Sequence, residues 1–273
     1  MPEIPWRLVK SLSSKKERDR TGLTVAEGPP SVESAILSGV AIEFLVVSES
    51  YAGSPEYAVV QAALRRAEPR GPRAGETFLA PDALFLRMAE TRSPQGILCV
   101  LPRPFRYLSE APGSPWDTPL YLLGVDIQDP GNAGALVRAA AAAGVSRASF
   151  AGESVDVFSP KCIRSSAGAV FNVALEQHGL DVDPSSILRA LEVQGVQVFK
   201  AVPREGVAPW EVDLAGPSAI VVGNEARGLR PEVTAGPGTR VSIPMPGRAE
   251  SLNVAVASGM ILYEAMRQRR RGV

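Results

Sequence analysis

The sequence predicts an α/β protein in two parts: a small N-terminal α/β unit, then a larger domain built on a mostly parallel sheet. Three observations carry that prediction. Short apolar runs such as IEFLVV (42–47), LYLLGV (120–125) and SAIVV (218–222) alternate with helical segments. That is the pattern of strands covered on both faces by helices. The alternation breaks once, at PRPFRYLSEAPGSPWDTP (102–119), where five prolines oppose both helix and sheet. A chain of 273 residues is also long enough for about two domains. The expected division is 1–105 for the first domain, 106–119 for a semi-rigid linker and 120–273 for the second domain.

In the first part, Trp6–Lys16 reads as a short basic helix and Leu23–Glu27 as a strand. Ser31 is expected to cap a helix reaching Leu37, with Gly39 at its end. Ile42–Val47 is a buried strand and Pro55–Glu68 a helix with Val59, Val60, Ala63 and Leu64 inward. Glu76–Ala80 is a strand, Pro81–Met88 a helix opened by proline, and Gln95–Leu101 a strand. In the second part, strands are expected at Leu120–Asp126, Arg147–Ala151, Phe171–Leu175, Val196–Val202, Ser218–Val222 and Arg240–Ile243. The helices between them are the alanine-rich Ala133–Ala143, Ser159–Gly168 and Ser185–Gln194. The final stretch, Ser242–Glu264, reads as a strand end, a proline-containing loop and a helix. Ser251 and Asn253 stand at that helix entrance, where backbone N–H groups lack partners, with Ser251 as an ordinary cap.

Composition narrows the function. Hydrophobic residues make up 45% and charged residues 21%, with a formal net charge of zero, so bulk charge announces no nucleic-acid partner. Basic residues cluster locally at Arg7, Lys10, Lys15, Lys16, Arg18 and Arg20, and at Arg267, Arg269, Arg270 and Arg271. Either cluster could meet phosphate or be a solvated face. Cys99 and Cys162 are too few for a disulfide framework and lack metal-ligand spacing, which suits a reducing, cytoplasmic setting. No apolar run approaches the roughly 18 residues of a membrane span, and the N-terminus lacks an apolar signal core. His178 is the only histidine, which argues against zinc sites and Ser-His-Asp triads.

Three polar motifs fall after expected strands, where open α/β sheets bind ligands. The first runs from Asp126 to Arg138, with Asn132 as a helix cap and Arg138 nearly two turns into an apolar helix. The second is Gly223-Asn-Glu225-Ala-Arg-Gly228, where glycine permits close backbone approach. Its Glu225 could cap a helix, accept from a ligand hydroxyl or pair with Arg138. The third is Ser251-Leu252-Asn253. No P-loop and no G-x-G-x-x-G fingerprint is present.

Asn132-x-Gly134-x-x-x-Arg138-x-Ala140, Gly223-x-Glu225-x-x-Gly228 and Ile243-Pro-Met through Ser251-Leu-Asn-Val-Ala resemble the three motifs of the SpoU (TrmH) family of SPOUT-class RNA ribose 2′-O-methyltransferases. Pro160-Lys161 through Arg164-Ser165-Ser166-x-Gly168-Ala169-x-Phe171 resembles a further family segment. LVKSLSSKKERDR, Val25-Ala-Glu27-Gly28 and Arg92-Ser93-Pro94-Gln95-Gly96 resemble the family's ribosomal-protein-like RNA-binding extension.

The resemblance implies a C-terminal trefoil knot, S-adenosylmethionine as cofactor, RNA as substrate (rRNA before tRNA), a homodimer formed through the knotted domain, and no metal. It places Gly223, Ile243 and Leu252, with Val222 and Met245, at the cofactor. It gives catalytic roles to Arg138, Asn132, Glu225, Ser251 and Asn253, with Arg138 as base or as alkoxide stabiliser. A guanidinium rarely gives up its proton, which favours the stabiliser at least as much. Lys10, Lys15, Lys16, Arg18, Arg20 and Arg164 are the expected RNA contacts. A tRNA enzyme, a non-catalytic RNA binder and a base methyltransferase are the alternatives.

Overall fold

A computed structural model describes residues 3–67, 76–103, 115–248 and 250–270 of the protein. By packing, the chain forms two compact units, Met1–Phe105 with Phe158–Asn172, and Arg106–Val157 with Val173–Val273. The sequence reading keeps 158–172 within the second domain, whereas the segment packs into the first unit. Most of the expected linker, residues 106–114, lies outside the described residues.

In the first unit the basic start is two helices, α1 (Trp6–Ser11) and α2 (Lys15–Thr21), where one was expected. Strands β1 (Leu23–Glu27), β2 (Phe44–Ser48), β3 (Glu76–Ala80) and β4 (Ile97–Pro102) form a mixed sheet in the order β1-β4-β2-β3. The pairs β1/β4 and β2/β4 are antiparallel, and β2/β3 is parallel. Helices α3 (Pro29–Leu37), α4 (Glu49–Ala52), α5 (Tyr57–Ala67) and α6 (Asp82–Met88) join these strands. The cap of α3 is Gly28 rather than Ser31, because Pro29 and Pro30 already suit the first turn. Val9, Leu12, Val25, Phe44, Val46, Phe85, Met88, Leu98 and Val100 form one core here. Helix α8 (Pro160–Ser165) joins the unit, where the Thr24 hydroxyl of β1 donates to the Phe158 carbonyl at 2.7 Å.

The second unit holds six parallel strands, β5 (Leu120–Val125), β6 (Arg147–Ala151), β7 (Leu175–Gln177), β8 (Gln197–Ala201), β9 (Ser218–Val222) and β10 (Thr239–Val241). Their order is β10-β8-β9-β5-β6-β7. The expected strand at Phe171–Leu175 begins only at Leu175. Ala169–Phe171 is instead a 3₁₀ turn entered through Gly168, whose φ of 80° breaks extension. Helices α7 (Pro130–Ala142), α9 (Pro184–Val193), α10 (Pro231–Ala235) and α11 (Val254–Arg270) complete the unit. Leu123, Val125, Ala151, Leu188, Val198, Val221 and Val233 form part of its core.

The topology positions the site. From β5 the chain moves outward through β6 and β7, then crosses to build β8, β9 and β10 on the other side. Strands β5 and β9 are therefore neighbours at a switch point, paired from Leu120↔Ser218 to Gly124↔Val222. The loops leaving their carboxyl ends face one crevice, the usual place for a ligand in such sheets.

Candidate active site

Helix α7 starts where Asp129 accepts from the Asn132 N–H at 2.8 Å and Pro130 occupies the first turn. Asp129 is thus the cap expected of Asn132, and the Asn132 side chain is left for other work. Its Nδ2 donates to Glu225 Oε1 at 2.9 Å, and its Oδ1 accepts from Asn253 Nδ2 at 2.8 Å. Residues 121 and 93 positions apart in sequence are joined in one chain, Asn253–Asn132–Glu225. Asn253 also caps α11, its Oδ1 accepting from the N–H groups of Ala255 (2.9 Å) and Val256 (3.4 Å). Ser251 was the expected cap. One residue before α11 begins, Asn253 has the reach that Ser251 lacks, and Ser251 lines the neighbouring cleft instead.

That cleft, about 370 Å³, lies between the loops after β8, β9 and β10 and the start of α11. Val222, Gly223, Ile243, Met245, Leu252, Ser251 and Glu225, all singled out in the sequence, line it. Its walls are apolar on the side of Val222, Ile243, Leu252 and Ile261. Its backbone is open as well: among the described residues, the main chain of 243–252 makes no hydrogen bond. Apolar walls with a few convergent polar groups are the usual make-up of a cofactor site, so the residues present fit an adenosyl group. Gly223 is a glycine because the chain folds against itself. A Cβ there would stand 2.4 Å from the Gly228 backbone, where the Asn224 and Gly228 main chains exchange bonds at 3.0 and 2.9 Å. Glu225 caps no helix; the Asn224 side chain instead holds the N–H groups of Ala226 and Arg227.

Arg138 stands apart from this constellation. It is exposed on α7 and makes no hydrogen bond or ion pair among the described residues. Its guanidinium is therefore not paired with Glu225, whose carboxylate serves Asn132.

One structural role escaped the sequence reading, which took Asp126 only as the start of the first motif. Asp126 follows β5 with φ at 58°, a conformation that L side chains other than Asn and Asp seldom adopt. It ties three loops together. Its carboxylate takes both Arg230 Nε and Nη2 and the Glu153 N–H, and its carbonyl accepts from Asn224 Nδ2 at 2.9 Å. Burial pushes the Asp126 carboxyl up, but the Arg230 hydrogen bonds, the Glu153 N–H and the Arg230 charge outweigh that and hold it below the usual carboxylate range. Gly152 leaves the room this pairing needs, since a Cβ would stand 2.4 Å from Asp126 Oδ1. The signal in sequence was an aspartate directly after a buried strand, indistinguishable there from a turn residue.

The expected RNA contacts divide. Lys10, Lys15, Lys16 and Arg20 are exposed, with Lys15 paired to Asp19 and Arg20 to Glu17. Arg18 is a correction: it is 3% exposed and donates to the Leu12 and Ser13 carbonyls at 2.8 Å, closing the end of α1. Arg164 is partly exposed beside Glu27. The C-terminal cluster is also not a phosphate patch as a whole. Arg269 is buried and donates to the carbonyls of Leu214, Thr118, Pro119 and Gly216, and Arg267 pairs with Glu264. Arg271 lies outside the described residues. Among the described residues no helix is long and apolar enough to cross a membrane.

Known proteins resemble the chain in sequence and in fold. Residues 119–263 match the SpoU rRNA Methylase family, and residues 7–99 match the MRM3-like substrate binding domain. The 23S rRNA (guanosine(2553)-2′-O)-methyltransferase RlmP of Bacillus subtilis is 31% identical over 256 residues, 93% of this chain and 92% of that protein. A crystal structure of an RNA 2′-O ribose methyltransferase superposes with a TM-score of 0.79 at 32% identity, covering 97% of this chain and 96% of the other. An AdoMet-bound rRNA methyltransferase from Sinorhizobium meliloti gives 0.78 at 28% identity, over 96% and 94%. A cleft at the carboxyl ends of β8, β9 and β10, three motif segments joined beside it and a family match over residues 119–263 lead to one assignment: the chain belongs to the SpoU rRNA methylase family.

Proposed function

We propose that the protein transfers a methyl group from S-adenosylmethionine to a ribose 2′-hydroxyl of ribosomal RNA, in the cytoplasm. The observation that carries the site assignment is the Asn253–Asn132–Glu225 chain at the rim of the cleft. It fixes two amides against Glu225, which lines a cavity of about 370 Å³. When bound, S-adenosylmethionine supplies an electrophilic methyl on a sulfonium. Val222, Ile243, Met245 and Leu252 would hold its adenine, and the main chain of 243–248 and 250–252, without hydrogen bonds among the described residues, would offer donors and acceptors to its polar groups. Ser251 hydrogen-bonds within the same cleft.

The acceptor is an RNA hydroxyl, which becomes more nucleophilic as its proton leaves. Arg138 is the group for that charge. Its unpaired guanidinium stabilises the developing alkoxide and anchors the adjoining phosphate. A guanidinium holds its proton at any ordinary pH, so the proton passes to phosphate or water rather than to Arg138. Asn132 and Asn253 orient the ribose, and Glu225 keeps Asn132 in its rotamer by accepting from its Nδ2.

Exposed Lys10, Lys15, Lys16 and Arg20 supply salt-sensitive attraction to RNA. Val256, Met260 and Tyr263, spaced along one face of α11 and 52%, 48% and 68% exposed, form the apolar stripe through which two copies pair as a homodimer. Ile261, beside them in sequence, is core. The trefoil knot implied by the motifs belongs to this same proposal.

The test is single-turnover methyl transfer to unmodified rRNA and tRNA transcripts by wild type and Arg138→Ala. The variant should lose roughly 100-fold or more in rate while binding cofactor normally. A near wild-type rate would remove Arg138 from the mechanism, and methylation of tRNA alone would move the substrate.

A further inference from the structure

Three motif segments that the methyl-transfer site does not use meet in the first unit. One is Glu27-Gly28 at the end of β1, one is Thr91 to Gln95 ahead of β4, and one is Arg164 in the last turn of α8. Glu27, Gly28, Ser31, Thr91, Gln95 and Arg164 line a cavity of about 280 Å³. Its back wall is Glu27, 4% exposed. Glu27 Oε2 accepts from the Glu90 N–H at 3.0 Å, and Oε1 accepts from the Thr91 hydroxyl.

The Arg164 Nη1 faces that carboxylate at 3.8 Å, an ion-pair separation beyond hydrogen-bond reach. Nη1 is sealed from solvent without a hydrogen-bond partner, an arrangement that is unfavourable unless something relieves it. The Gln95 amide, exposed at the mouth, also makes no hydrogen bond among the described residues. Gly28, at φ 92°, keeps the space open, because a Cβ there would stand 3.0 Å from Gln95 Oε1.

Charge and size choose the guest. One carboxylate and one guanidinium nearly cancel, so a phosphate would meet repulsion from Glu27 as well as attraction from Arg164. An aliphatic guest would leave Arg164 and Gln95 without partners. A flat, neutral ring with acceptors and donors on its edge satisfies both, because guanidinium and carboxamide are the groups that read base edges. The volume lies just under the roughly 300–1,000 Å³ of drug-sized sites, room for one ring system. Proteins that select RNA by sequence read unpaired bases splayed out of the chain.

We propose that this cavity reads one unpaired RNA base, with Arg164 and Gln95 as its specificity-determining donors and Glu27 as the positioning residue that holds Arg164. The proposal rests on the RNA-methyltransferase reading only for the source of the base.

The test needs no methyl transfer, so its failure and the failure of that reading are distinguishable. Full-length protein, with the cofactor cleft filled by excess S-adenosylhomocysteine, is probed by saturation-transfer NMR with adenosine, guanosine, cytidine and uridine in turn. At least one nucleoside should show saturation at its base protons. The signal should disappear in Arg164→Met, fall at least fivefold in Gln95→Ala and resist competition by inorganic phosphate. Gln95 is exposed, so its variant serves as the control if Arg164→Met fails to fold. No signal from any nucleoside, a signal that survives in Gln95→Ala, or displacement by inorganic phosphate would each overturn the proposal.

Discussion

Asp126→Asn isolates the hub of the loops beside the proposed site. Asparagine tolerates the positive φ at this position and keeps the carbonyl that accepts from Asn224. What it removes is the charge and one acceptor in the pairing with Arg230. Two charge-assisted bonds at about 1.5–3 kcal/mol each set an upper bound near ~6 kcal/mol. The Arg230 side chain is 34% exposed, so solvent recovers part of that, and the asparagine oxygen retains one bond. The expected loss is about 2 kcal/mol, or roughly 4–8 °C in Tm for a domain of this size.

The sign with pH is definite. The folded carboxyl lies below its unfolded value near ~3.9. Its contribution is therefore full above about pH 4 and disappears as pH falls through the folded value, so the wild-type and variant unfolding curves should converge in acid.

Activity should report position. The Asn224–Gly228 loop carries Glu225, so an error of ~1 Å there costs up to about 100-fold in rate. Gly223 follows β9 directly, and S-adenosylmethionine affinity should stay within about twofold. Thermal unfolding and single-turnover transfer measure both. A Tm within 1 °C of wild type, together with an unchanged rate, would refute the role given to Asp126 (the expected shift being roughly 4–8 °C).

Other substitutions test other parts of the account. Gly223→Ala forces a Cβ to 2.4 Å from the Gly228 backbone, so calorimetric affinity for S-adenosylmethionine should fall about tenfold, ~1.4 kcal/mol. Lys200, 2% exposed, donates to the Thr234 and Gly236 carbonyls at 2.8 and 2.6 Å beneath the cleft. Lys200→Met leaves both carbonyls without that donor, and denaturant unfolding should show a loss of about 2–3 kcal/mol. Cys99 is fully buried, and burial pushes its thiol up to about 12. At pH 8 iodoacetamide should label it only after denaturant is added, as mass spectrometry of the intact protein would show.

What the sequence revealed and what it hid follow from the range of the forces involved. A strand buried along its whole length is written as an apolar run, as in β9, which agrees with expectation to the residue; β1, β3 and β6 agree as well, although β3 is a largely exposed edge strand. The residues that line the cleft stood out in the sequence because they sit in short local motifs at strand ends. Caps were harder to read. Asp129 and Asn253 take the roles expected of Asn132 and Ser251, since several oxygen-bearing side chains within three residues compete for the same N–H groups. Long-range pairing left no local trace at all. Asp126 meets Arg230 and Arg269 meets the 214–216 turn only once the sheet has formed. Arg18 illustrates the same limit: a basic residue in a basic run looks solvated until its neighbours fold over it.

The most direct measurement of the central claim is transfer of labelled methyl from S-adenosylmethionine to unmodified 23S rRNA, followed by alkaline hydrolysis. A 2′-O-methyl group blocks cleavage at its own linkage. The account predicts label in a single alkali-resistant dinucleotide, lost with Arg138→Ala. Label released wholly as mononucleotides would place the methyl on a base and contradict the account.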